Sequence, residues 1–151
     1  MASAFWTLED GRTFARRWSG MNYMLELIVE KLKPMPDARA FHDYLDEYIF
    51  REENGDDYND FGGIIRNGES ILFNFDLRTF APKNRTLFWR ATRQVHRDLL
   101  MGEIHGNAVL IELFTDLLAM HDRIQVGEDP MELNDLSVIE PVSGGKLGPG
   151  W

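Results

Sequence analysis

The alternation of apolar and polar residues predicts two β-hairpins in separate parts of the chain. The first spans residues 5–15 and turns at Asp10-Gly11, where Gly supplies the positive φ angle that a tight turn requires. The second turns at Asn67-Gly68, with one strand over 63–66 and another over 70–78. In this last strand the apolar side chains occupy every second position, which is the period of a strand with one buried face.

Four segments have the 3.6-residue period of an amphipathic helix, and they follow the hairpins in pairs. Ser19 is the predicted N-cap of a helix that ends near residue 33, and Asp37 is the predicted N-cap of one that ends near residue 50. A third helix is predicted over residues 84–101 and a fourth over residues 106–125. Each presents one apolar stripe, so each is expected to pack against a common core.

These elements predict an α+β domain over residues 1–126 with the order ββαα-ββαα. We expect the two hairpins to form one antiparallel sheet of about four strands, with about four helices on one face. Residues 127–151 are rich in Pro and Gly and have no periodic pattern, which predicts an extended C-terminal tail.

Two hexapeptides raise the question of an internal duplication. Asp-Gly-Arg-Thr-Phe-Ala at 10–15 and Asp-Leu-Arg-Thr-Phe-Ala at 76–81 differ at a single position. One hypothesis is a ββαα unit repeated over residues 3–50 and 61–125, and the other is a chance match of one short segment. Outside the hexapeptides the two halves do not align by eye.

The amino-acid composition is that of a globular domain without disulfides or membrane helices. The chain has 151 residues, of which 44% are hydrophobic and 27% are charged, as in ordinary globular domains. Cys is absent, which excludes disulfides, thiol nucleophiles and thiolate metal sites. No apolar run approaches the ~18 residues of a membrane helix, and the first residues lack the features of a signal peptide. We therefore expect a cytoplasmic protein that does not enter a membrane.

Charge is distributed unevenly along the chain. The net charge is -9, which disfavours binding to nucleic acid or to an anionic membrane and favours a basic protein partner. Residues 43–60 contain eight acidic side chains and one basic one, Arg51, whereas residues 78–97 contain six Lys or Arg and no acid. The stripe formed by Arg90, Arg93 and Arg97 is expected to pair with the acidic half, in the same molecule or in a head-to-tail dimer.

The acidic segment is the candidate binding site. Carboxylates with tyrosines among them are typical of electrostatically steered interfaces that have aromatic anchors. The competing interpretation is a solvated helix face and loop. The predicted partner-binding residues are Asp43, Asp46, Glu47, Tyr48, Glu52, Glu53, Asp56, Asp57, Tyr58 and Asp60.

Sequence motifs give little support for catalysis or cofactor binding. A calcium loop that begins at Asp57 fails on spacing, because Phe61 and Gly68 stand where oxygen ligands are needed. Phosphate-loop, dinucleotide and Gly-x-Ser-x-Gly motifs do not occur. The histidines are the remaining candidates, and His121 is expected to be a core residue with one hydrogen-bond partner. We assign no catalytic residue, no metal ligand and no cofactor.

Three functional hypotheses remain. The favoured one is an inhibitor or immunity-type protein that neutralises a basic partner, such as a toxin nuclease, through the acidic and aromatic side chains. The first alternative is a homo-oligomeric structural or regulatory subunit, for instance a homodimer. The second is a metal-dependent hydrolase that uses histidines and carboxylates which only the fold would bring together, namely His42, Asp46, His96, His105 and His121.

Overall fold

A computed structural model describes residues 3–58, 63–72 and 74–125, so the predicted tail lies outside the described residues. Its six strands and four helices form an α+β fold, which confirms the predicted class. In chain order they are β1 (Ser3–Thr7), β2 (Thr13–Arg17), α1 (Trp18–Leu32), α2 (Arg39–Asp46), β3 (Asp57–Tyr58), β4 (Gly63–Arg66), β5 (Glu69–Leu72), β6 (Asn74–Asp76), α3 (Pro82–Leu100) and α4 (Ala108–Gln125). Short 3₁₀ turns cover Glu52–Asn54 and Leu77–Thr79.

The strands form two three-stranded sheets, so the prediction of one four-stranded antiparallel sheet and of a ββαα-ββαα order is met only in part. The first sheet has the order β2-β1-β6, with β1 antiparallel to β2 and parallel to β6. The second has the order β3-β4-β5 and is antiparallel throughout. Both predicted hairpins are present, and Asn67 and Gly68 adopt the positive φ angles of 53° and 80° that the second turn requires.

The predicted strand 70–78 is divided between the two sheets. β5 pairs with β4, whereas β6 pairs with β1 and places Phe75 opposite Trp6. The Asn74 Oδ1 atom accepts a hydrogen bond of 2.9 Å from the backbone N–H of Phe5, which ties β6 to the first sheet. In the sequence, apolar residues continue to occupy every second position from 71 to 77. The pattern alone therefore does not reveal that the strand changes its partner.

Both predicted helix caps are wrong. β2 leads directly into α1 with Arg17 as the N-cap residue, so Ser19 lies inside the first turn and makes no capping bond. Asp37 adopts a φ of 62° before α2, whose N-cap residue is Ala38. Helix α2 also ends earlier than predicted, at Asp46. At the predicted end, the Asn22 amide of α1 bonds both the N–H (2.8 Å) and the C=O (3.2 Å) of Phe50. These bonds hold residue 50 in a non-helical conformation.

The core lies between the first sheet and the helices. Helix α1 packs against α2, α3 and α4, and its side chains Met21, Met24, Leu25 and Ile28 are fully buried. Trp6 connects the sheet to α3 through ring contacts with Phe75 at 5.7 Å and Phe88 at 5.8 Å between centroids. No described helix combines the length and the apolar character needed to cross a membrane.

The two similar hexapeptides fold into the same local hydrogen-bond arrangement. Asp10 Oδ1 accepts the backbone N–H of Arg12, and Asp76 Oδ1 accepts that of Arg78, each at 3.0 Å. In both cases the arginine guanidinium also bonds the same carboxylate. The first arrangement forms the turn between β1 and β2, and the second joins β6 to α3. Their positions in the fold differ, and the duplication remains a hypothesis.

Candidate functional site

The acidic segment folds into the end of α2, the 3₁₀ turn and β3, and the structure divides its carboxylates into paired and unpaired groups. Asp43 lies 2.9 Å from His42 Nδ1 and 3.7 Å from Arg39 Nε. The hydrogen bond from His42 is the main reason that the pKa of Asp43 lies below its usual value. Asp46 accepts a hydrogen bond of 2.9 Å from Arg51. These two predicted binding residues therefore have polar partners within the chain, although the Asp43 side chain is 61% exposed.

Asp56 is a buried structural residue, so it cannot contact a partner as predicted. Its side chain is 0% exposed, and both carboxylate oxygens accept hydrogen bonds of 2.8 Å from the Arg66 guanidinium. The Asp56 Oδ2 atom also accepts the backbone N–H of Arg51 at 3.0 Å. The Arg66 hydrogen bond is the main cause of the lowered pKa of Asp56.

Arg66 holds the acidic segment to the second sheet. Besides Asp56, it donates to the backbone C=O of Glu47 at 2.8 Å and to that of Ile49 at 3.0 Å. One β4 side chain thus fixes the end of α2, the following turn and the entry to β3. Sequence reasoning did not single out Arg66, although it is the nearest arginine after the acidic segment.

The remaining described acids form what we call the acidic surface, defined by Glu47, Glu52, Glu53, Asp57 and Tyr58. All five residues are exposed, and none of the four carboxylates forms an ion pair with a described residue. Burial is the main reason that the pKa of Glu26 on α1 is raised; Arg51 acts in the opposite direction, and Glu53 makes the smallest contribution, which raises it. Asp60, also predicted to bind a partner, lies outside the described residues.

An aromatic group supports the acidic surface from beneath. Tyr58 is 54% exposed, and its ring lies 5.2 Å from Trp18 and 6.0 Å from Phe50 between centroids. Trp18 and Phe50 also contact each other, so Tyr58 stands on a fixed platform. Tyr48 is different, because it is half-buried and packs against Tyr44 and Phe75. Trp18 and Phe50 were not predicted as part of the site, since both lie in apolar patterns that indicate core positions.

The predicted pairing of the basic stripe with the acidic segment does not occur among the described residues. Arg93 bonds Asp122 of α4 at 2.6 Å, and Arg97 lies 3.6 Å from Asp98 on its own helix. Asp98 is in addition paired with Lys31 of α1. The Arg93 and Lys31 contacts join neighbouring helices, and none of these contacts involves a residue of the acidic surface.

The fold does not bring the histidines together. His42 bonds Asp43 on α2, and His96 lies 3.0 Å from the Thr115 hydroxyl on the α3–α4 face. His121 is buried, stacks on Trp89 at 3.8 Å and has its Nδ1 atom 3.0 Å from Arg93, in agreement with the predicted core role. Within residues 3–58, 63–72 and 74–125, no group of three or more His, Asp or Glu side chains could hold a metal ion.

Comparison with known proteins assigns no family to the chain. No family model matches it, and neither the curated proteins nor the solved structures include a significant match. Functional inference therefore rests on the geometry of the acidic surface.

Proposed function

We propose that this chain is a protein-binding domain that docks a basic protein on its acidic surface, as an inhibitor or immunity-type protein does when it neutralises a toxin nuclease. The observation that supports the proposal is that four exposed carboxylates, none in an ion pair with a described residue, lie in the segment that also carries the exposed ring of Tyr58. Uncompensated carboxylates of this kind can enter a cleft that binds the phosphates of a nucleic acid. The aromatic ring supplies the apolar contact that commonly anchors such interfaces.

Preorganisation of the surface supports the same proposal. Binding is weakened when a flexible loop must be ordered, and a loop already fixed in position avoids that cost. Here Arg66 and buried Asp56 fix the segment, while Trp18 and Phe50 fix Tyr58. The carboxylates are thus presented on a formed scaffold, which favours fast, charge-steered association.

A homo-oligomeric subunit is the second candidate. Three large apolar side chains are exposed close together in sequence at the α3–α4 connection, with 60% exposure for Leu100 and 65% each for Met101 and Val109. Exposed apolar groups of this kind often mark interfaces. This group lies on different elements from the acidic surface, so the two candidates predict effects from different substitutions.

The experiment is affinity capture from the source organism at low salt, followed by elution in a salt gradient and mass spectrometry. The test variant is Glu52→Lys/Glu53→Lys, and the matched control is Glu103→Lys/Glu112→Lys, which makes the same charge change at two exposed acids of the α3–α4 region. We expect a basic partner that elutes with salt, is retained by the control and is lost from the test variant. The captured partner's enzymatic activity is then assayed with and without the purified chain.

Two results would overturn the proposal. One is a partner that both variants retain equally, because the acidic surface would then play no part in binding. The other is self-association alone, detected by analytical ultracentrifugation and reduced by Met101→Ser/Val109→Ser, which would establish the oligomeric subunit instead.

A further inference from the structure

A cleft of about 590 Å³ lies on α3, remote in sequence from the acidic surface and sharing no residue with it. This volume is in the range of small-molecule sites. Its walls come from the turn after β1, from the first half of α3 and from His121 of α4. The charged and aromatic side chains that line it are Glu9, Arg85, Trp89, Arg90, Arg93 and His121.

The cleft contains two arginines without an acidic partner among the described residues. Most arginines of this acidic chain pair with an aspartate, as Arg93 does with Asp122 at 2.6 Å. Arg85 and Arg90 form no such pair, and the Arg85 Nε atom is buried with no described hydrogen-bond partner. A buried donor left unpaired is costly, and this applies to Arg85 Nε. Arg90 adds an exposed guanidinium with no described acidic partner to the same cleft, so the two side chains together point to an anionic ligand.

An unpaired acceptor lies in the same cleft. The Glu9 Oε2 atom accepts a hydrogen bond of 2.8 Å from the Trp89 indole, whereas Glu9 Oε1 is buried with no described partner. The indole cannot rotate freely, because its ring stacks on His121 at 3.8 Å with an interplanar angle of 8°. Glu9 is therefore held in place with one oxygen available to a donor.

We propose that this cleft binds a small phosphate monoester whose organic part carries an amino or hydroxyl group. The phosphate dianion carries the charge that neutralises the Arg85 and Arg90 guanidiniums, and its several oxygens accept hydrogen bonds from both planar forks. The amino or hydroxyl group donates to Glu9 Oε1. This inference does not depend on the proposed docking function.

The test uses three defined probes on the full chain. O-phosphoethanolamine has both required groups, ethyl phosphate lacks the donor, and β-alanine replaces the phosphate by a carboxylate. Binding is measured by calorimetry and by the ¹H–¹⁵N shift of the Trp89 indole, which is assigned with Trp89→Phe. We expect O-phosphoethanolamine to bind at least about fivefold more tightly than either other probe, and to move the Trp89 resonance.

Two variants and one matched control locate the binding. Arg90→Gln should weaken O-phosphoethanolamine at least about tenfold, while Arg97→Gln, with the same charge change on the same helix, should have little effect. Glu9→Gln should abolish the preference over ethyl phosphate, because a Gln side chain still accepts the Trp89 bond but does not provide a carboxylate for an ammonium group.

Four results would overturn the inference. No binding of O-phosphoethanolamine at about 10 mM excludes the site, and equal weakening by Arg90→Gln and Arg97→Gln shows general attraction to a basic helix instead. Binding of β-alanine as tight as that of O-phosphoethanolamine excludes the phosphate assignment. Equal affinity for ethyl phosphate removes Glu9 from recognition and overturns the proposal as stated.

Discussion

Arg66 of β4 and Asp56 before β3 form a two-pronged ion pair, with both hydrogen bonds at 2.8 Å and the aspartate fully buried. The same guanidinium bonds the backbone carbonyls of Glu47 and Ile49. A segment that accounts for most of the chain's net negative charge is thereby fixed by one positive side chain. The exposed carboxylates of the same segment form no ion pair with a described residue.

Removing Arg66 should destabilise the fold strongly. In Arg66→Met the buried Asp56 carboxylate loses its counterion, and breaking a pair of this kind costs about 3 kcal/mol. Urea unfolding at pH 7, followed by circular dichroism, measures the loss. Arg39→Met is the control, because its contact with Asp43 is exposed and longer, at 3.7 Å, and its expected cost is well below about 1 kcal/mol. Equal costs in the two variants would contradict the structural role of Arg66.

The same ion pair predicts a loss of stability in acid. The pKa of Asp56 is lowered in the folded state, chiefly by the Arg66 hydrogen bond. Its contribution is therefore fully present above the unfolded pKa of about 3.9 and is lost as pH falls through the lower folded pKa. In Asp56→Asn that part of the pH dependence should disappear. Unfolding free energies measured from pH 6 to pH 2 for both proteins test this, and parallel curves would contradict it.

The two Asp-x-Arg turns should differ in their contribution to stability despite their similar sequences. The Arg12 side chain is 3% exposed and also donates to the Met120 carbonyl of α4 at 2.7 Å, whereas Arg78 is 41% exposed. Arg12→Met should therefore cost about 3 kcal/mol. Arg78→Met should cost less, because the Arg78 guanidinium is partly solvated and bonds only Asp76, whereas Arg12 also ties the turn to α4; the Asp76 carboxylate is itself only 3% exposed. Urea midpoints rank the two variants, and the reverse order would refute the explanation by burial.

His121 should make the fold less stable as the medium becomes mildly acidic. Burial lowers its pKa, Glu9 and Asp122 act in the opposite direction, and Arg93 lowers it further. Because the unfolded state takes up the proton first, stability is lost as pH falls below the unfolded pKa of about 6.5. His121→Phe keeps a ring on Trp89 and removes the titration.

The measurement is the unfolding free energy at pH 7.5, 6.5 and 5.5. His121→Phe should show a weaker decline than the unmodified chain. The pKa of His96 is also lowered by burial, so the double variant with His96→Gln should decline least. An unchanged decline in the double variant would show that neither histidine is responsible.

Local patterns predicted most of the elements. The Asp-Gly and Asn-Gly turns, the four amphipathic helices and the buried position of His121 follow from residue type and period. These local patterns do not determine which strands pair with each other. The alternation of residue types continues from β5 into β6, yet β6 pairs with β1, where the Phe5 N–H, 69 residues away in sequence, donates to Asn74 Oδ1. The non-helical conformation of Phe50, where α2 was predicted to end, is likewise held by Asn22, a residue on another helix.

The candidate site could be predicted only in outline. A run of acids identifies the segment, but it does not show which carboxylates are exposed. Asp56 is buried by Arg66, and Asp46 is paired with Arg51, whereas Glu52 and Glu53 remain unpaired among the described residues. The cleft at Glu9 and Arg85 gave no sequence signal, because its residues come from segments about 80 positions apart.

The most direct test of the docking proposal is the rate of association between the chain and its captured partner at increasing salt. Stopped-flow fluorescence, with Trp18 beside Tyr58 as a local reporter, gives this rate. We predict a steep decrease with ionic strength and a reduction of about tenfold or more at low salt in Glu52→Lys/Glu53→Lys. The control Glu103→Lys/Glu112→Lys should change it much less. A rate that is independent of salt and equal in the two variants would contradict the proposal.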